Sequence, residues 1–382
     1  MHKLTADQIT YLTQLRHTLH RRPEISGEER ATAARMVAEL EELGADRIWQ
    51  GLGGHGVAAE FRGAGDGPTV LLRCELDGLP IQEISDLPYR SEVAGKGHLC
   101  GHDGHMVSLL GVAMGLAKRP KRGRVILLFQ PAEETGAGAQ AVIDDPRWPE
   151  IRPDFAFAYH NVPGWPLGQV GLRDAVANCA SRGLQINLEG KSSHAAAPED
   201  GLSPGPAMAD LMVALPALGE GQIGDDNFAL STLTHARLGE ACFGIAPALG
   251  ELRVTLRSMT NARMGVMISE AEAALTKSQG ELQVRTSWHD VFHAVENDRA
   301  AMAVARRVLV DLGMDSQEMQ APMRWSEDFG RFGEDGAQAA LLFIGSGIDQ
   351  PQLHNPDYDF PDALVPVVTE LWTALVADIL GE

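Results

Sequence analysis

Apolar residues recur every three or four positions near the start of the chain: Ile9, Leu12, Leu15 and Leu19 fall on one face of a helix, and Thr5 with Gln8 forms a capping-box pattern ahead of them. A second helix is expected next, because Ser26 and Glu29 repeat the box, Val37 and Leu40 share a face, and Gly44 stands where a helix stop belongs. The rhythm then changes. Short continuous apolar runs at residues 69–72, 125–129 and 155–158 read as buried strands, separated by helical stretches such as 107–116. That alternation predicts an α/β fold on a mixed, mostly parallel sheet.

Between about residues 177 and 290 the apolar and polar positions alternate over longer segments, as in 183–188 and 251–257, with helical stretches at 205–218 and 262–278 among them. Strands and helices in that arrangement predict an inserted α+β domain with an antiparallel sheet. The first pattern then resumes, with a helix at 297–312, a strand at 339–344 and a closing helix at 364–380. The expected organisation is therefore one α/β domain formed by 1–176 and 291–382, interrupted by a second domain at 177–290. A chain of 382 residues is long enough to need both.

Composition narrows the possible partners. A formal net charge of −20 argues against broad contact with nucleic acid, and it means that an anionic substrate must be held by specific Arg, His or backbone groups against the field of the whole protein. No apolar run reaches the length of a bilayer span, so no membrane insertion is expected. Residues 1–7 lack the apolar core of a signal peptide, which points to the cytoplasm. Cysteines at 74, 100, 179 and 242 have no regular spacing, so reduced thiols are expected rather than a disulfide framework.

Each strand-like run ends in polar residues: Glu75 and Asp77 after the first, Glu133 and Glu134 after the second, His160 and Asn161 after the third. In open α/β sheets the binding crevice lies at the carboxyl ends of the strands, so these residues are expected to converge. The segment His98-Leu99-Cys100-Gly101-His102-Asp103-Gly104-His105 adds a thiol and imidazoles, the preferred ligands of zinc and related ions. Asp77, Asp103 and His105 are candidates for orienting such ligands. Of Glu133 and Glu134, one is expected to bind metal and the other to take a proton from an activated water, and spacing alone does not say which. The glycines of 135–141 imitate a dinucleotide fingerprint, but two carboxylates occupy the place where pyrophosphate would have to sit. No P-loop, His-Glu-x-x-His helix or deaminase-type Pro-Cys-x-x-Cys is present.

Six motifs in order carry a resemblance: Cys-Gly-His-Asp-Gly-His at 100–105, Pro-Ala-Glu-Glu at 131–134, Tyr-His-Asn at 159–161, Gly-Lys-Ser-Ser-His-Ala at 190–195, Ser-Glu-Asp-Phe at 326–329 and Leu-His-Asn-Pro at 353–356. Together they resemble the aminoacylase and carboxypeptidase-type metallopeptidases of family M20, in the amidohydrolase branch that includes hippurate hydrolases and hydrolases of indole-acetyl amino acids. The resemblance implies a ferredoxin-like lid that often mediates dimers, so a homodimer or higher oligomer is expected. It implies Cys100 as a thiolate bridging two divalent ions, completed by His102, Glu134, His160 and His354, with Glu133 as general base and Asp77 as supporting aspartate. It further implies that His194 steadies the substrate carbonyl. Zinc, manganese, cobalt or nickel all suit such a site, and the substrate class is small N-acyl amino acids, cleaved to a carboxylate and a free amino acid.

Two positions depart from that pattern. Glu75 stands where the family has a shorter Asp, and Gly244 stands where a lid loop commonly carries the Asn that holds the substrate carboxylate. Arg257 is the candidate substitute for it. An exopeptidase acting on dipeptides through the same site is the alternative; a catalytically idle binding protein is disfavoured because Glu133 accompanies all five ligands.

Overall fold

The computed structural model describes residues 3–382; Met1 and His2, part of the stretch 1–7 expected to lack a signal-peptide core, lie outside them. Two compact units make up the chain. The first comprises the stretch up to Ala177, Val295–Gln320 and Glu327–Glu382, and the second Asn178–Ala294 with Ala321–Ser326. Residues 321–326, expected in the closing α/β stretch, belong instead to the second unit because backbone pairing recruits them. The Cys179 N–H donates to the Met323 carbonyl (3.1 Å), the Asn178 side chain donates to the Trp325 carbonyl (3.1 Å), and Ser326 Oγ donates to the Cys179 carbonyl (2.7 Å).

In the first unit an eight-stranded sheet runs in the order Arg47–Leu52, Gly56–Arg62, Arg122–Gln130, Gly65–Glu75, Phe155–Pro163, Gln338–Gly347, Val170–Leu172, Ser316–Glu318. The four central strands, 122–130, 65–75, 155–163 and 338–347, are mutually parallel. Their middles are apolar and buried on both faces, as parallel strands covered by helices must be. The antiparallel outer strands 47–52 and 56–62 lack continuous apolar runs, and their periodicity alone did not announce them.

Helix His102–Gly115 is apolar nearly all round and buried from His102 to Ala113, so its sequence has no hydrophilic face to expose. It packs against the closing helix Leu364–Leu380. A Cβ on Gly111 would meet Thr369 Oγ1 at 2.4 Å, so the close approach of the two helices requires glycine there.

Helix Ala6–His20 starts with the expected capping box: the Gln8 N–H donates to Thr5 Oγ1 and the Thr5 N–H to Gln8 Oε1. Helix Arg30–Glu42 does not. Its second and third N–H groups, those of Ala31 and Thr32, donate to the Glu24 carboxylate (3.1 and 2.7 Å), while Ser26 and Glu29 face elsewhere. Gly44, at φ +74°, ends it as expected.

The second unit carries a four-stranded antiparallel sheet in the order Ala229–Leu238, Leu249–Ser258, Ala180–Glu189, Gln283–Phe292. Leu184, Ile186, Leu188, Leu252, Val254 and Leu256 alternate onto its buried face, where helices Gly205–Ala214 and Asn261–Ser278 supply Met208, Leu211, Met264 and Met267. Two helices on one face of such a sheet match the expected ferredoxin-like lid. No helix among the described residues is long and apolar enough to cross a membrane.

Candidate functional site

The parallel strands deliver the chemistry at their carboxyl ends. Strand 65–75 ends at Glu75 with Asp77 just beyond, strand 122–130 leads into Glu133 and Glu134, strand 155–163 carries His160, and the loop after strand 338–347 carries His354. Cys100 and His102 stand at the start of helix 102–115. Of the groups of three whose ligand atoms lie within 4.8 Å of one another, two contain Cys100, one with His102 and His160 and one with Glu134 and His354, and His102 forms another with Glu133 and Glu134. The thiol is common to the first two. Cys100 Sγ lies 3.4 Å from His160 Nε2, His354 Nε2 lies 3.5 Å from Glu134 Oε2, and His102 Nε2 lies 3.9 Å from both Glu133 Oε2 and Glu134 Oε1.

The imidazoles are pre-oriented. His102 Nδ1 donates to the Asp77 carbonyl (2.8 Å) and His160 Nδ1 to the Asn161 carbonyl (2.9 Å), which turns the Nε2 lone pairs inward. His102 Nε2, Glu134 Oε1 and Asp77 Oδ1 are buried without a hydrogen-bond partner. Buried polar atoms left in that condition are costly, and cations held by His102 on one side and Glu134 on the other would satisfy those two. Backbone strain accompanies the site: Ala132 and His354 adopt φ +49° and +66°.

Electrostatics lead to the same conclusion. Burial, reinforced by Glu134, Glu133 and Glu75, pushes the Cys100 thiol far above its ordinary range. Burial also raises Glu134 to about 7 and, together with Glu327, Glu134 and Asp328, raises Glu133 strongly. His102 resists burial because Glu75, Asp77 and Glu134 outweigh it, and it rises to about 10. Burial takes His354 down to about 4. The donor set is thus crowded with negative charge that protons must neutralise, and divalent cations would displace those protons.

Around this centre lies a layer of ion pairs. Asp77 Oδ2 accepts from Ser26 Oγ (2.7 Å) and from the Glu134 N–H (3.0 Å). His105 is not a free donor: its Nδ1 lies 2.6 Å from Glu75 Oε2 and its Nε2 meets Asn161 Oδ1. Glu75, the longer residue at this position, reaches both His105 and the buried Arg73. Arg73 also binds Glu327 (2.8 Å) and Asp328 (2.6 Å), which explains what two carboxylates of the Ser-Glu-Asp-Phe motif do. Arg73, Glu327 and Asp328 had no assigned role from sequence. The available signal was an arginine inside the apolar run of strand 65–75.

Asp103 anchors the helix that carries His102. Its Oδ2 accepts from Arg16 Nη1 (3.0 Å) and His20 Nδ1 (2.9 Å), and His20 Nε2 faces Glu83 at 3.3 Å. Burial opposes charge on His20, but Asp103 and Glu83 prevail and raise it to about 9. A raised folded pKa contributes stability that is complete below the unfolded value of about 6.5 and lost as pH climbs through 9, on the order of 3 kcal/mol. Denaturant midpoints of the metal-free protein are expected to fall between pH 7 and 9, and His20→Gln is expected to flatten that part of the profile. Superimposable profiles for the two proteins would remove His20 from the anchor.

His194 and Arg257 lie in the second unit. His194 pairs with Ile245 across a short two-stranded ladder, so the loop containing Gly244 runs beside it, and the Ala195 N–H donates to the Gly244 carbonyl (3.1 Å). His194 Nδ1 accepts from the Ala196 N–H (3.0 Å), which places the proton of a neutral ring on Nε2, an exposed donor. Arg257 donates through Nη1 to the Arg324 carbonyl and Ser326 Oγ, both at 3.1 Å. Among the described residues no carboxylate pairs with it, and burial lowers its pKa.

Comparison with known proteins agrees with this chemistry. Residues 71–378 match peptidase family M20/M25/M40. The chain is 29% identical over 372 residues to a hippurate hydrolase of Campylobacter jejuni, covering 96% of each chain, and 29% identical over 380 residues to an N-acetylcysteine deacetylase of Bacillus subtilis, covering 97% of each. Among solved structures it is similar to a Bacillus subtilis protein described as a dinuclear metal binding peptidase from the M20 family, with a TM-score of 0.80, 26% identity and 99% of each chain covered.

Proposed function

The chain belongs to peptidase family M20/M25/M40, and from that premise we propose that it is a metal-dependent amidohydrolase that cleaves the amide bond of small N-acyl amino acids to a carboxylate and a free amino acid. The observation that carries this reading is the pair of three-donor groups sharing Cys100, with Glu133 beside them. Cys100, His102 and His160 would hold one divalent ion, and Cys100, Glu134 and His354 the other. A thiolate with imidazoles and one carboxylate suits zinc, manganese, cobalt or nickel better than magnesium or calcium. Bound there, the ions supply Lewis acidity that lowers the pKa of water and polarises the acyl carbonyl.

The remaining steps belong to the protein. Glu133, nearly buried and 3.9 Å from His102, takes the proton of the attacking water and returns it to the leaving amine. Asp77 holds His102 and the Glu134 backbone in place. His194 donates from Nε2 to the carbonyl oxygen as charge develops on it. Arg257 binds the substrate carboxylate, a role supported by the absence of an acidic partner for it among the described residues. The second unit is proposed as a lid through which copies of the chain form a dimer or larger oligomer; Val213, Phe243 and Ile245 expose apolar surface there.

The test uses metal-depleted protein reconstituted singly with zinc, manganese, cobalt or nickel. Acetyl, benzoyl, arylacetyl and aminoacyl derivatives of one amino acid are then compared, each as free acid and as C-terminal amide. Acyl substrates are expected to be cleaved, with KM about tenfold or more higher for the amides because the contact with Arg257 is lost. Faster turnover of the aminoacyl compounds would replace this assignment with a dipeptidase.

A further inference from the structure

Ser26 and Glu29 satisfy the sequence pattern of a capping box, yet neither side chain caps helix 30–42; Glu24 does that. They reach the ends of two of the strands that carry the site, 65–75 and 122–130. Ser26 Oγ donates to Asp77 Oδ2, and the same carboxylate oxygen receives the Glu134 N–H. Glu29 is completely buried, and its Oε1 accepts the Ala132 N–H at 2.8 Å. The backbone just before Ser26 is tied to the first strand end as well: Ile25 bridges Gly78, and the Gly78 N–H donates to the Glu24 carbonyl (2.8 Å).

Ala132 immediately precedes Glu133 and is held at φ +49°, a conformation that L-residues rarely adopt. Its carbonyl accepts from the Gly138 N–H (3.1 Å), but the peptide N–H that leads into it is fixed by Glu29. From this geometry we infer that Glu29 is a positioning residue: it clamps the left-handed Ala132 and thereby aims Glu133 and Glu134 at their working positions, while Ser26 sets Asp77 and hence His102. The segment 24–29 is a brace across two strand ends. Glu29 touches neither substrate nor cation. The inference rests on the proposed roles of Glu133 and Glu134.

Four proteins test it: the wild type, Glu29→Met, Glu29→Gln, and Glu29→Met combined with Ala132→Gly. Methionine fills the space but accepts no strong hydrogen bond, glutamine keeps the accepting oxygen, and glycine adopts the left-handed backbone without strain. Two readouts are taken, kcat at saturating zinc and zinc affinity by titration against a chelator. Glu29→Met is expected to lower kcat about tenfold with KM nearly unchanged and to weaken zinc binding about tenfold. Glu29→Gln is expected to stay within about threefold of wild type, and Ala132→Gly in the methionine background to recover about threefold of each loss. A merely space-filling role for Glu29 would not be repaired by a glycine at 132. Wild-type kcat and zinc affinity in Glu29→Met, or a double variant no better than the single one at equal Tm, overturns the brace. A wild type inactive on every substrate instead removes the amidase assignment and leaves the zinc titrations to decide on Glu29.

Discussion

Alanine at position 100 is expected to cost the protein both cations together. Cys100 is the one donor common to the two three-residue groups, so removing its sulfur leaves His102 with His160 on one side and Glu134 with His354 on the other. Two ligands each are too few for a tight four-coordinate site. Metal analysis after reconstitution and desalting should show close to two ions per chain in the wild type and almost none in Cys100→Ala, with activity lower by about 1000-fold or more because the activated water is lost with them. His354→Ala, which belongs to one group alone, is expected to retain one ion. If Cys100→Ala holds as much metal as the wild type, the thiol does not bridge.

Glu133→Gln is expected to behave in the opposite way, keeping metal and losing turnover. The substitution preserves size and hydrogen bonding but removes the ability to take a proton, and kcat should fall by about 100-fold or more with KM little changed. Glu133 is raised by burial and by the nearby Glu327, Glu134 and Asp328, whereas Arg73 opposes the rise. A base must be unprotonated to act, so the wild-type rate is expected to increase with pH through the Glu133 pKa. That acid limb should disappear in Glu133→Gln. A Gln variant with the wild-type kcat and the wild-type limb would remove Glu133 from the base role.

These two residues were legible in the sequence for a physical reason. Cys100 stands in a Cys/His cluster and Glu133 just after an apolar strand run, settings in which such residues seldom gather unless they bind or react. The residues that hold them were not legible. Arg73 is one charge in a buried strand until the fold brings Glu327 and Asp328 across more than 250 positions to meet it. Ser26 and Glu29 carry a local pattern that is correct in form, but the helix starts too late for it, and Asp77 and Ala132 compete successfully for the two side chains.

Periodicity along the chain by itself determined the α/β class and the inserted antiparallel domain, because burial acts on each short segment and leaves its mark there, whereas the candidate donors followed from residue type and from the resemblance in motifs. Tertiary structure alone decided which donors share the thiol, which carboxylates Arg73 neutralises, why segment 321–326 joins the second unit, and where the left-handed residues fall. Each of these depends on partners distant in sequence. A buried polar group must be paired wherever the fold brings a partner within reach, and the choice of that partner is made in space.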